Sequence, residues 1–225
     1  MDYLFNGESL QNGRQSNMDS LLLKPGLISE RNALLAVVCD GVGSLTNGAF
    51  ASQVAAQMLG EWFMTAKTID RIGLAMRDAI LMINTHVMKE AKKENINSAS
   101  TLSALLLIEN NYYIVHIGDS RIYSYEDEVL SILTRDDVSE SGKLTGCIGQ
   151  IENIFPQYCE GKALGKTFLI CSDGLYKRMD PDFLLEKMKT WNKRSKEEPL
   201  FTLAQYVITR GERDNISVAL VKIES

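Results

Sequence analysis

A chain of 225 residues suits one large domain, and a 45% share of hydrophobic residues is enough for a sizeable core. Its net charge of −5 argues against nucleic acid or an anionic membrane as the main partner. No apolar run reaches transmembrane length, the N-terminal MDYLFNGESL lacks a basic-then-apolar signal pattern, and Cys39, Cys147, Cys159 and Cys171 form no CxxC pair. The expectation is therefore a cytoplasmic protein in a reducing compartment with no zinc cluster, Cys39 and Cys171 being inert residues of apolar strands.

In chain order, a short edge strand is expected near Asp2–Phe5, and a second strand over Asp19–Leu23, ended by Pro25-Gly26. Asn32–Cys39 reads as a strand buried on both faces, because it is apolar without alternation. From Gly48 the period changes: Phe50, Ala51, Val54, Ala55, Met58, Leu59, Trp62 and Phe63 form a helical stripe, and a second helix spans Ile69–Lys93. Leu102–Ile108, Tyr112–Ile117, Arg121–Tyr125 and Val129–Leu133 read as successive strands, the first two joined by a tight turn at Glu109–Asn111. His86 falls on a helical surface and His116 within a strand. Ser139–Gly165 gives no clear period and reads as loop-rich. Lys166–Cys171 is a strand, Leu184–Trp191 a helix, Asn192–Glu198 a charged loop, Pro199–Arg210 a helix and Ile216–Ile223 a closing strand. Hairpin strands with helices inserted as blocks indicate an α+β fold, with two antiparallel sheets packed together and helices outside.

The chemistry lies at strand ends. LLAVVCDGVGS puts Asp40 at the exit of a buried strand, on a loop whose glycines let the backbone approach a ligand, and FLICSDG repeats the pattern with Asp173. Asp119 in GDSR, Asp214 in RDN and Asp19 extend the set. Aspartate is common in turns and caps, which would account for Asp214 alone. It does not account for the whole set. Carboxylates without His or Cys suit hard cations, Mn²⁺ or Mg²⁺, and two such ions about 3.5–4 Å apart can polarise a phosphoryl group. Arg14 is the natural complement, since a guanidinium grips a phosphate with two parallel hydrogen bonds.

Taken in order, GRQSNMD (13–19), VVCDGVGSLTNGAFAS (37–52), STLSALLL (100–107), HIGDSRIYSY (116–125), LTRDD (133–137), LTGCIG (144–149), FLICSDGLY (168–176) and RDNISVALV (213–221) resemble the PP2C (PPM) family of metal-dependent protein serine/threonine phosphatases, particularly its small bacterial members. Eight motifs in the family's order, covering nearly the whole chain, make the resemblance specific. It implies a four-layer αββα sandwich forming a single domain. It also implies that Asp40 bridges two metal ions, that the Gly41 carbonyl completes the second site, and that Asp173 and Asp214 hold the first. By the same resemblance Asp19 orients metal-bound water, Arg14 binds the substrate phosphate, and Asp119 with Asp173 forms a third, weaker site. The implied reaction is direct attack of a metal-bridging hydroxide on phosphoserine or phosphothreonine, with no phosphoenzyme. The implied partners are phosphorylated proteins made by a serine/threonine kinase, and the implied state is a monomer.

Three departures from the family pattern stand out. Met18 occupies a position where the family often has Glu or Gln, which predicts a weaker second metal. Asp136-Asp137 replaces an Asp-His pair, and the DGVGS loop holds no His to serve as general acid. Only VSESGK (138–143) separates Asp137 from Leu144, a shortened flap that implies an open site unless 150–165 folds over it. The competing readings are a catalytically weak or inactive member that binds phosphoproteins as a regulator, and a hydrolase of small phosphate esters.

Overall fold

The computed structural model describes residues 2–43, 45, 47–191 and 198–223. One sheet has the order β2 (Ser20–Ile28), β3 (Arg31–Cys39), β4 (Leu102–Ile108), β5 (Asn111–Ile117) and β8 (Gln157–Lys162). The other has the order β1 (Tyr3–Leu10), β10 (Ile216–Ile223), β9 (Thr167–Cys171), β6 (Arg121–Glu126) and β7 (Val129–Ile132). Every pairing is antiparallel. Helices α1 (Gly48–Thr65) and α2 (Ile72–Lys93) cover the first sheet, while α4 (Pro181–Thr190) and α5 (Glu198–Thr209) cover the second. A single turn of helix, α3 (Asp173–Tyr176), follows β9.

Strand β3 shows why its sequence is apolar without alternation. Leu34, Ala36 and Val38 face the other sheet, while Ala33, Leu35, Val37 and Cys39 face α1 and α2. Strand β9 divides in the same way: Phe168 and Ile170 fill the space between the sheets, and Leu169 and Cys171 pack under α4 and α5. Each central strand is thus buried on both faces, which is the αββα arrangement expected from the sequence. Burial raises the thiols of Cys39 and Cys171 far above their ordinary value, so both stay protonated within the core. Among the described residues no helix is long and apolar enough to cross a membrane.

Several boundaries differ from the sequence reading. Pro25-Gly26 does not end β2, which runs to Ile28 with Pro25 opposite Leu34. Because β2 is an edge strand, it tolerates a residue that has no N–H to donate. Strand β1 is twice as long as expected and pairs along its whole length with β10. The loop-rich stretch contains β8, whose sequence QYCEGK carries no apolar alternation because it is an edge strand held by its pairing with β5. Helix α4 starts earlier than its apolar stripe: Asp180 accepts hydrogen bonds from the N–H groups of Asp182 (2.9 Å) and Phe183 (3.2 Å), with Pro181 as the first helical residue. Of the expected charged loop Asn192–Glu198, residues 192–197 lie outside the described residues. His86 is exposed, and His116 is fully buried within β5.

Phe168 is fully buried between the sheets, with the edge of Tyr112 against its ring at a centroid distance of 5.3 Å. Phe168→Ala should destabilise the fold by about 3–5 kcal/mol, from lost transfer energy plus an unfilled cavity. Urea denaturation should register this as a lower midpoint at unchanged slope.

Candidate active site

The site forms at one end of the sandwich, where chain segments leave both sheets. Asp40 continues the row Leu34, Ala36, Val38, so strand alternation turns it toward the space between the sheets. Its backbone is fixed from two sides: its N–H donates to Thr101 Oγ1 (2.9 Å), and its carbonyl accepts from Thr101 N–H (2.9 Å) and Ser100 Oγ (3.0 Å). Thr101 Oγ1 also hydrogen-bonds Ser120 Oγ at 2.8 Å, tying the Asp40 strand to the loop that carries Asp119. Gly41 is required by close approach, since a Cβ there would lie 2.5 Å from the Met18 carbonyl oxygen and 2.7 Å from that of Gly48.

The Asp119 loop is set from beneath. A carbonyl can only accept, so His116 Nε2–H donates to the Gly118 carbonyl (3.1 Å), and Nδ1 accepts from Ser103 Oγ (2.8 Å). Burial lowers the His116 pKa, which keeps the ring neutral and preserves that pattern. Asp137 closes the other side of the loop: Gly118 N–H donates to its Oδ2 (3.1 Å), and its own N–H donates to the Gly118 carbonyl (2.7 Å). Asp136 instead takes a two-pronged bond from Arg121, at 3.0 and 2.8 Å. Both members of the Asp136-Asp137 pair therefore support loops, a role that sequence reasoning missed.

Asn215 was missed as well. Its Oδ1 accepts from Met18 N–H (2.9 Å), and its amide donates to the carbonyls of Gln11 (2.8 Å) and Ser16 (3.0 Å). One buried amide thus holds the 11–18 segment, and Arg14 with it, against the start of β10, next to Asp214. An asparagine after an aspartate gives no sequence signal beyond a turn. Nearby, Asp19 accepts from Ser172 Oγ (2.8 Å) beneath Asp173, and Gly174 lets α3 press against β10, since a Cβ there would lie 2.0 Å from the Asn215 carbonyl oxygen.

The result is a cleft of about 1140 Å³ whose lining includes Arg14, Asp40, Asp119, Asp173, Lys177 and Asp214. Asp19 lies just behind it, 9% exposed. Burial and the neighbouring carboxylates of Asp19, Asp173, Asp119 and Asp214 raise Asp40 well above the ordinary carboxylate range. Burial first, with repulsion from Asp173, raises Asp119 to about 6. Asp19 also rises to about 6, since its burial outweighs the hydrogen bonds from Ser172 and Ser217 that favour its charged form. Two cations meet the cluster: Arg14 grips Asp214 with Nε–Oδ1 at 2.8 Å and Nη2–Oδ2 at 2.6 Å, and Lys177 pairs with Asp173. Among the described residues no three His, Cys, Asp or Glu side chains already stand as a closed ligand set. The donor chemistry nonetheless fits hard divalent ions, with mutually repelling oxygen ligands on a polar cleft and room for the waters such ions retain.

The Arg14–Asp214 pair changes one expectation. From sequence, Arg14 should touch only phosphate and leave metal binding alone; here it occupies a carboxylate expected to be a metal ligand. Met18 lies outside the cleft lining, its sulfur close against Gly48 at the start of α1.

The raised acids make a stability prediction for metal-free protein. An acid whose folded pKa lies above its unfolded value binds more protons when folded, so stability falls as pH rises from about 4 through about 6. Asp119→Asn removes one of the repelling charges, and should raise the metal-free melting temperature at pH 7.5 by a few degrees while having little effect at pH 4.5. Melts in chelator at the two pH values would measure this; an equal shift at both would argue against charge repulsion as the cause.

Comparison with known proteins agrees with this geometry. The model of the family described as Protein phosphatase 2C matches residues 7–207. The serine/threonine phosphatase stp of Listeria monocytogenes is 28% identical, the alignment covering 85% of each chain. Among solved structures, PppA of Pseudomonas aeruginosa, described as a key regulatory component of T6SS, superposes with a TM-score of 0.83 at 26% identity over 98% of this chain and 97% of its own. Serine/threonine phosphatase Stp1 from Staphylococcus aureus shares the fold, with a TM-score of 0.87 at 20% identity over 100% and 95% of the two chains. With 201 consecutive positions matched by the family model and a cleft of clustered carboxylates at the end of a β-sandwich, the chain belongs to the protein phosphatase 2C family and is a phosphatase.

Proposed function

We propose that this phosphatase hydrolyses phosphoserine and phosphothreonine in proteins, with two divalent ions, Mn²⁺ or Mg²⁺, held by Asp40, the Gly41 carbonyl, Asp173 and Asp214. The observation that carries the reading is the crowding of Asp40, Asp19, Asp119, Asp173 and Asp214, each raising the pKa of Asp40 in part or being raised itself. Bound there, the ions would supply Lewis acidity toward the phosphoryl group and an activated hydroxide for direct displacement. Among the described residues Cys147 is the one cysteine that lines the cleft, and burial raises its thiol pKa, which makes it a poor nucleophile.

The residues divide the remaining work. Asp19, buried and held by Ser172, would orient water behind the cleft. Arg14, nearly half exposed at the rim, releases Asp214 and turns its fork to the phosphate when cations neutralise the acids. The turn at 138–143 is closed by Ser139 N–H donating to the Lys143 carbonyl (2.8 Å) and by Gly142 at φ +75. Gly142, Lys143 and Leu144 line part of the cleft. Gln150 and Ile151 form part of one wall, pinned through Asn84, while 157–162 leaves as an edge strand. An open cleft of this kind favours recognition of the phosphate over recognition of its flanking sequence.

The test is phosphate release from a phosphothreonine peptide. Activity should require Mn²⁺ or Mg²⁺ and disappear in excess chelator, and Asp40→Asn should cost at least ~10²-fold in kcat, roughly 3 kcal/mol. Chelator-resistant activity, or a variant within a few-fold of wild type, would overturn the proposal. Arg14→Ala should lower kcat/KM and also shift half-activation to a lower Mn²⁺ concentration, by up to ~5-fold, because it frees Asp214 from an exposed ion pair worth up to about 1 kcal/mol. A titration unchanged or weakened would mean that the pair does not compete with metal.

A further inference from the structure

The structure assigns Lys177 as a built-in cation that occupies the Asp119–Asp173 corner of the cleft in place of a third divalent ion. This rests on the metal-dependent reading proposed above. The turn α3 is a single helical turn, with Lys177 N–H donating to the Asp173 carbonyl at 3.1 Å, so Lys177 stands four residues on and directly over Asp173. Its ammonium donates to Asp173 Oδ2. Asp119 is drawn to the same turn, because Tyr176 Oη donates to its carbonyl at 2.9 Å while the Arg121 guanidinium lies 3.7 Å over the Tyr176 ring. One turn therefore carries one acid, clips the loop bearing the other, and presents an ammonium to both.

The acids facing Lys177 are Asp173, with which it pairs, Asp119 and Asp40. The ammonium also offsets the repulsion that Asp173 exerts on Asp119. A divalent ion entering this corner must displace a cation that is tethered to the chain and never dilutes away. Loss of that tether opens the corner.

The test is titration calorimetry of chelator-stripped protein with Mn²⁺, alongside thermal melts without metal. Lys177→Gln should take up one more Mn²⁺ per chain than wild type, or bind its weakest ion at least ~10-fold tighter, and its metal-free melting temperature should fall. Lys177→Arg should keep the wild-type stoichiometry, and adding Asp119→Asn to Lys177→Gln should abolish the gain. Wild type and Lys177→Gln with the same stoichiometry and affinities would overturn the role of Lys177 alone. A wild-type protein that binds no Mn²⁺ would overturn the metal-dependent reading beneath it.

Discussion

Mutual repulsion among carboxylates is the constraint around which this molecule is arranged. Asp40, Asp19, Asp119, Asp173 and Asp214 come from five separated chain segments, yet Asp40 feels all four of the others. Such crowding costs free energy unless cations are present, so the fold must hold each acid from behind. It does so with hydrogen bonds: from Thr101 and Ser100 for Asp40, from His116 and to the Asp137 carboxylate for the Asp119 loop, from Ser172 for Asp19, and through Asn215 for the segment that brings Arg14 to Asp214. The β-sandwich above is densely apolar and insensitive to this strain, which lets its open end remain electrostatically unfavourable.

The cations the chain supplies are placed by the same logic. Arg14 reaches Asp214 from the N-terminal segment, and Lys177 reaches Asp173 from the turn after β9. The two pairs differ in the exposure of their acids, Asp214 being 34% accessible and Asp173 13%, while both cations are about half exposed, Arg14 at 48% and Lys177 at 55%. An exposed pair exchanges readily, which suits a side chain that must turn to a phosphate. The second pair joins residues one helical turn apart, which keeps the ammonium beside its acid and suits a fixed charge.

The support network also explains how two sheets share one site. Thr101 and Ser120 link the first sheet to the β5–β6 connection, and Ser172 and Asn215 link the second sheet to the N-terminal segment. The acids arrive on loops, where glycines at close approaches and buried hydrogen bonds fix the residues that carry them. Gly41 and Gly174 each sit where a single methyl group would collide with backbone.

The central strands, the amphipathic helices and the strand-end aspartates were all legible from local pattern, because burial on both faces and helical period leave marks in consecutive residues. So were Asp40 and Asp173, as polar residues ending apolar runs. Strand β8, the extension of β2 through Pro25 and the full length of β1 were not, because edge strands are decided by a neighbour's hydrogen bonds rather than by their own side chains. Lys177 pairs with Asp173 at a local spacing, but sequence alone could not place Asn215 or Asp137, or bring Lys177 near Asp119. Each acts on groups brought to it by the chain's folding, and a hydrogen bond or ion pair between distant segments has no periodicity to read. Local pattern along the chain marked which residues could form the core and which acids could bind cations. Which acids meet, which cations face them and what holds each in place depend on the packed fold, because those are distances between segments some 200 residues apart in the chain, as in the pair of Arg14 and Asp214.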